Sequence, residues 1–171
     1  NEGLAYGRGV RDMVLSRFTN PKIDDKGLPL ADAMVVLSST MILGIFILTQ
    51  GIIKPSWLAP MSLAPQWRSL PFLFPALLHG SLLSMCWVIG GLAAQAYERE
   101  SFSEGAKALK ATTKTWAFAV ALMIFGVQLG LGREALHMGV LPLVGESEAL
   151  DMLAVSKYSE LIVDAALVGL F

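Results

Sequence analysis

Residues 33–53 read AMVVLSSTMILGIFILTQGII, twenty-one positions without a charged side chain, bounded by Asp32 before and Lys54-Pro55 after. An α-helix rises 1.5 Å per residue, so this run reaches about 30 Å, the thickness of a bilayer's hydrocarbon layer. It reads as a membrane-crossing helix, with Asp32 as its N-cap.

Two further stretches repeat the signal. The second, Phe72 to Tyr97, is the more polar and carries Pro75, His79, Ser81, Ser84, Cys86, Gly90, Gly91 and Gln95. The third has an apolar body from Thr115 to Gly132, opened by Trp116 at the expected membrane boundary and preceded by polar helical turns from Ser103 to Lys114. The expected fold is an all-α integral membrane protein. It has three transmembrane helices, an N-terminal amphipathic helix, and a C-terminal helix that is either interfacial or a fourth span. The regions are a peripheral segment at 1–32, a membrane domain at 33–132 and an interfacial or partly inserted segment at 133–171.

Composition agrees. Hydrophobic residues make up 54% of the 171 and charged residues only 16%, against about 25% in soluble domains. A formal net charge of −1 gives no general attraction to nucleic acid. The one cysteine, Cys86, stands in an apolar run as a small hydrophobe. The chain opens on Asn1 rather than methionine, which reads as processing or trimming.

The connections have their own chemistry. Val10, Val14 and Phe18 repeat every four residues among Arg8, Arg11 and Arg17, the pattern of a short basic amphipathic helix on a membrane surface. Lys54 to Pro71 carries four prolines with Trp57 and Trp67, which reads as an extended strap on the membrane. The segment from Ala149 to Phe171 is apolar toward its end except for Asp164, and too short there to cross unless Ala149 to Glu160 also inserts. Lysine and arginine cluster in the N-terminal tail and the loop after the second span, placing both on the cytoplasm, matrix or stroma side.

Groups able to carry chemistry are few. His79 lies about two turns inside the second span, where an imidazole is costly without a partner. It is the candidate metal ligand, to chlorophyll magnesium, against a reading as a hydrogen-bonding residue satisfied by backbone or by a hydroxyl such as Ser81. Gln95 and Gln128 are amide candidates for pigment contact, and Gln50 stands at a span end. His137 falls beyond the third span, so with His79 it does not form the matched-depth pair that would hold a haem. Asp164 would serve a proton relay only with a partner that the sequence does not name. Gly126 and Gly130 form a GxxxG, and Gly80 with Ser84 a second small-residue pair, both read as packing faces.

Phosphate loops, nucleophile elbows and zinc signatures are absent from the sequence, which argues against an enzyme. Residues 157–171 locally resemble the glutamate-bearing membrane helix of light-harvesting chlorophyll proteins, but Asp164 and Ala165 supply neither its arginine partner nor its pigment ligand. The functional expectation is a non-catalytic accessory subunit of a large energy-transducing assembly. A photosystem or antenna supercomplex in the plastid thylakoid is favoured. Its ligands would be chlorophyll, with carotenoid or lipid, at His79, Gln95, Gln128 and His137, and its partners other membrane subunits and the bilayer. The alternatives are a subunit of a mitochondrial respiratory complex or ATP synthase, a transport or channel component, and a redox protein using His79.

Overall fold

The computed structural model describes residues 22–51, 55–58, 70–137 and 148–169. Among these residues all regular structure is helical: α1 (Gly27–Gln50), α2 (Leu70–Ala94), α3 (Gly105–His137) and α4 (Glu148–Val168), with short 3-10 turns at Ser56–Leu58 and Arg99–Phe102. Three helices are long and apolar enough to cross a membrane: α1, α2 from Leu73 to Ala94, and α3 from Gly105 to Glu134. The expected basic helix around Val10 to Phe18, the strap from Ala59 to Ser69 and the break at Pro142 and Gly145 lie outside the described residues.

Helix α1 starts six residues before the expected Ala33. Its first free N–H, on Gly27, donates to the Asp25 side chain at 2.8 Å, so Asp25 does the work expected of Asp32. Asp32 lies inside the helix and serves as an acceptor for other elements. The far end closes at Gly51, whose φ of +65° is the left-handed conformation that a glycine adopts without a Cβ penalty.

Helix α2 is the centre of the bundle, with α1 on one side and α3 on the other. Against α1 it presents Gly80, where a Cβ would stand 2.9 Å from Leu37 Cδ1 and 3.1 Å from Thr40 Cβ. The Gly80 and Ser84 pair is therefore a packing face. The Ser84 hydroxyl also donates across to the Ala33 carbonyl at 2.9 Å. Against α3 the approach is closer still, since a Cβ on Gly90 would meet the Thr115 carbonyl oxygen at 2.7 Å and the Ala119 nitrogen at 3.0 Å. Backbone touches backbone there, the close approach that small residues permit in lipid.

The end of α2 differs from expectation at Gln95, which adopts φ +59°. Its N–H bonds the Leu92 carbonyl and the next N–H, of Ala96, reaches back to Gly91, a six-to-one and five-to-two pair that forms a Schellman cap. Glutamine thus occupies the place usually given to glycine.

Helix α4 runs antiparallel to α3. Trp116 Nε1 donates to the Ala165 carbonyl at 2.9 Å, and the Gln128 amide donates to the Tyr158 hydroxyl. The two contacts fall near both ends of the apolar body of α3, so the last turns of α4 lie alongside a helix long and apolar enough to cross a membrane. A shared cluster of Leu83, Trp87, Ala119, Met123, Leu161 and Val168 ties α2, α3 and α4 into one apolar core.

The strap also departs from expectation where it is described. Ser56–Leu58 forms a 3-10 turn rather than an extended run, and Leu58 is fully buried. Trp57 and Leu58 both come within 4 Å of a Cβ built on Gly44 of α1. The turn folds back into the bundle because its two large apolar side chains find a place between α1 and α2.

Candidate functional site

His79 and Asp164 meet in the bundle. The imidazole Nε2 lies 3.0 Å from the Asp164 carboxylate, and both side chains are largely buried, at 16% and 11% exposure. Where the carboxylate is ionised it can only accept, and Nε2 is then the donor. By helical rise His79 sits about 13 Å from the start of α2, within the stretch from Leu73 to Ala94 that is apolar enough to cross a membrane. Ser81, the neighbour considered for it, instead donates to the Leu77 carbonyl within its own helix.

One face of the imidazole is covered. The ring of Trp57 stacks on it at a centroid distance of 4.4 Å with the planes 3° apart. Tryptophan from the strap, histidine from α2 and aspartate from α4 thus come together from segments far apart in the chain.

Beside this group lies a polar cluster on the strap and α4. Glu160 accepts hydrogen bonds from both the backbone N–H and the hydroxyl of Ser56, the latter at 2.7 Å. Lys157 donates to the same Ser56 hydroxyl at 2.7 Å and lies 3.6 Å from Glu160. These contacts pin the turn that carries Trp57 to the helix that carries Asp164.

Between α2, α3 and α4 a groove of about 620 Å³ opens next to the pair. Its apolar walls include Leu82, Cys86, Leu122, Met123 and Leu161, and its polar lining is His79, Asp164, Glu134 and Lys157. Gly126 and Gly130 form part of its floor, and a Cβ on either would meet nothing within 4 Å. Among the described residues the GxxxG of α3 is therefore not a packing face. It leaves space.

A second polar knot closes the opposite end of α2. The Asp32 carboxylate accepts from Trp87 Nε1 and from the Tyr97 hydroxyl, each at 3.1 Å. The Tyr97 carbonyl accepts from the Asp24 N–H, and Asp24 accepts from the Arg99 N–H. Burial chiefly, then the charge and hydrogen bond of Asp32, push the Tyr97 hydroxyl well above its usual range.

The remaining candidates are dispersed. Gln95 is exposed at the α2 cap and donates to Glu98 at 3.0 Å, while Gln128 is engaged by Tyr158 on the outer face of α3. Gln50 is exposed at the end of α1. His137 is the last residue of α3, and its side chain lies outside the described part. The structure brings neither Gln95, Gln128 nor Gln50 to His79. Asp164 is the residue that sequence reasoning left without a partner, and its position at an apolar face of α4 was the signal. Among the described residues no three of His, Cys, Asp and Glu gather into a set that could hold a bare metal ion. No family model matches the chain, and no curated protein or solved structure proves similar to it.

Proposed function

We propose that this chain is a non-catalytic accessory subunit of a large energy-transducing membrane assembly. The observation that carries the reading is how little of the spans the chain covers for itself. In the most apolar stretch of α1, and likewise of α3, 17% of the residues are buried. Ile42, Ile45 and Phe46 on α1 and Phe118 and Phe125 on α3 point outward, available to neighbouring helices and lipid. The polar groups inside the bundle are engaged with one another, which supports a scaffolding role over turnover.

A photosystem or antenna supercomplex of the thylakoid is the assembly favoured, with chlorophyll as the pigment contacted and His79 as its candidate ligand. A histidine whose other ring nitrogen is held by a carboxylate is the usual arrangement of an oriented metal ligand. A respiratory complex or ATP synthase is the alternative. Purification in mild detergent from the native membrane tests all of this. Co-purifying subunits with chlorophyll absorption support the photosystem version, the same subunits without chlorophyll bands move the reading to a respiratory assembly, and a solitary chain overturns it.

One observation favours a transport component instead: an ionisable pair, His79 with Asp164, buried between α2 and α4. Proton flux through vesicles containing the isolated chain, abolished in His79→Ala, would establish that reading.

A further inference from the structure

The groove beside His79 is polar at one end and apolar at the other. Glu134 and Lys157 stand at one end, with the His79 and Asp164 pair along the wall, while Leu122, Met123 and Cys86 line the other. Leu122 to Glu134 is twelve residues along α3, so the groove extends about 18 Å. Such a shape suits a single-headed amphiphile, its head at the Lys157 end and its tail along the glycine floor.

Charge narrows the head. The lining has one lysine against two carboxylates, Glu134 and Asp164, and that lysine is already shared with Ser56 and Glu160. A phosphate or sulfate head would meet no surplus of positive charge there. A neutral head is favoured. The polar lining is also small, enough for two or three hydrogen bonds, with the Lys157 ammonium as donor and the Glu134 carboxylate and the imidazole nitrogen turned away from Asp164 to complete them. A sugar head, with many hydroxyls, would leave most of them facing leucine and valine. A flat ring with two opposed oxygens matches both the number and the mixed character of these groups, whether the oxygens are carbonyls or hydroxyls.

We propose that the groove is a binding site for a prenylquinone, its ring near Lys157 and His79 and its isoprenoid tail lying over Gly130 and Gly126. The glycines are the structural basis of the site, since a Cβ on either would enter the space of the tail and meet no atom of the described residues within 4 Å. The inference rests on the membrane-embedded reading of α2 and α3 and on no particular assembly.

The same property supplies the test. Gly126→Leu with Gly130→Leu fills the groove, while Gly132→Leu, on the same helix but outside the lining, adds the same bulk elsewhere. The full chain in nanodiscs of neutral lipid is titrated with a benzoquinone bearing a ten-carbon tail, following quenching of tryptophan fluorescence. Trp57, stacked on His79, is the reporter, and Trp57→Phe identifies its share. Saturable binding in the wild type and in Gly132→Leu, weakened at least about tenfold in the double variant with unchanged helicity and thermal midpoint, is the expected result. Equal affinity in wild type and double variant overturns the proposal, as does quenching that never saturates. Recovery of phospholipid or glycolipid, rather than quinone, from solvent extracts of the native protein also overturns it. If the double variant loses partner subunits and keeps its quinone, the groove is a helix interface and the proposal fails, while the accessory-subunit reading stands.

Discussion

Gly90 and Gly126 occupy equivalent sequence settings, each a glycine inside an apolar helix with another small residue nearby, and they have opposite structural meanings. At Gly90 the backbones of α2 and α3 touch, and a Cβ would strike the Thr115 carbonyl. At Gly126 the same atom would enter open space above the groove. The contrast teaches that a small residue in a membrane helix marks a close approach or a vacancy. Only the neighbouring helix decides which.

The sharpest way to break that contrast is to enlarge both positions. Gly90→Leu should cost more than about 3 kcal/mol, because the obstacle is backbone and cannot rotate aside. Thermal unfolding in detergent should show a lowered midpoint or no cooperative transition. Normal unfolding of this variant would mean that α2 and α3 do not cross at Gly90.

Next in size is the knot that fixes the same end of α2. Asp32→Ala leaves the Trp87 and Tyr97 donors, both on buried residues, without their acceptor, and should cost about 2 kcal/mol. Tyr97 also predicts a pH dependence. Its hydroxyl titrates higher in the folded chain than the ordinary value of 10.0. Above that pH the unfolded state binds fewer protons than the folded one, so stability falls as pH rises, and Tyr97→Phe should flatten the decline.

Smaller effects sharpen the groove side. A double-mutant cycle on His79→Ala and Asp164→Ala should return a coupling of about 1 kcal/mol, the scale of interhelical hydrogen bonds in lipid. A coupling near zero would mean that the pair does not hold α4 to α2. Gln95→Gly should stabilise by up to about 1 kcal/mol, since glycine adopts the left-handed cap without strain and only the exposed bond to Glu98 is lost. Gly126→Ala should leave stability within about 0.5 kcal/mol, completing the comparison with Gly90.

How much of this was legible in the sequence differs by element. The three long apolar helices were, because twenty uncharged residues admit few structures and apolar length is a local property. Their ends were less so. Asp32 matched the N-cap pattern, yet the helix begins after Lys26, with the Asp25 side chain accepting the first N–H, since Leu28 to Leu30 extend the helix just as well. Gln95 gave no cap signal, being neither glycine nor asparagine. The strap was read as a membrane-surface segment from its prolines and tryptophans, and nothing local announced that Trp57 would fold inward to stack on His79. The site was half legible. His79 and Asp164 each stood out as ionisable groups in apolar surroundings, but they are 85 residues apart, and pairing between helices leaves no trace in spacing along either one.

The sequence by itself determined that this chain is helical, with three helices long and apolar enough to cross a bilayer, because apolar length is a local property and lipid admits only segments that satisfy their own backbone polar groups. Which polar side chains meet was decided by tertiary structure alone. An imidazole or a carboxylate within an apolar helix must find a partner, but the helix that supplies it is selected by close packing at Gly80 and Gly90 and by the register of α4 against α3. The same packing left Gly126 and Gly130 uncovered and so made the groove.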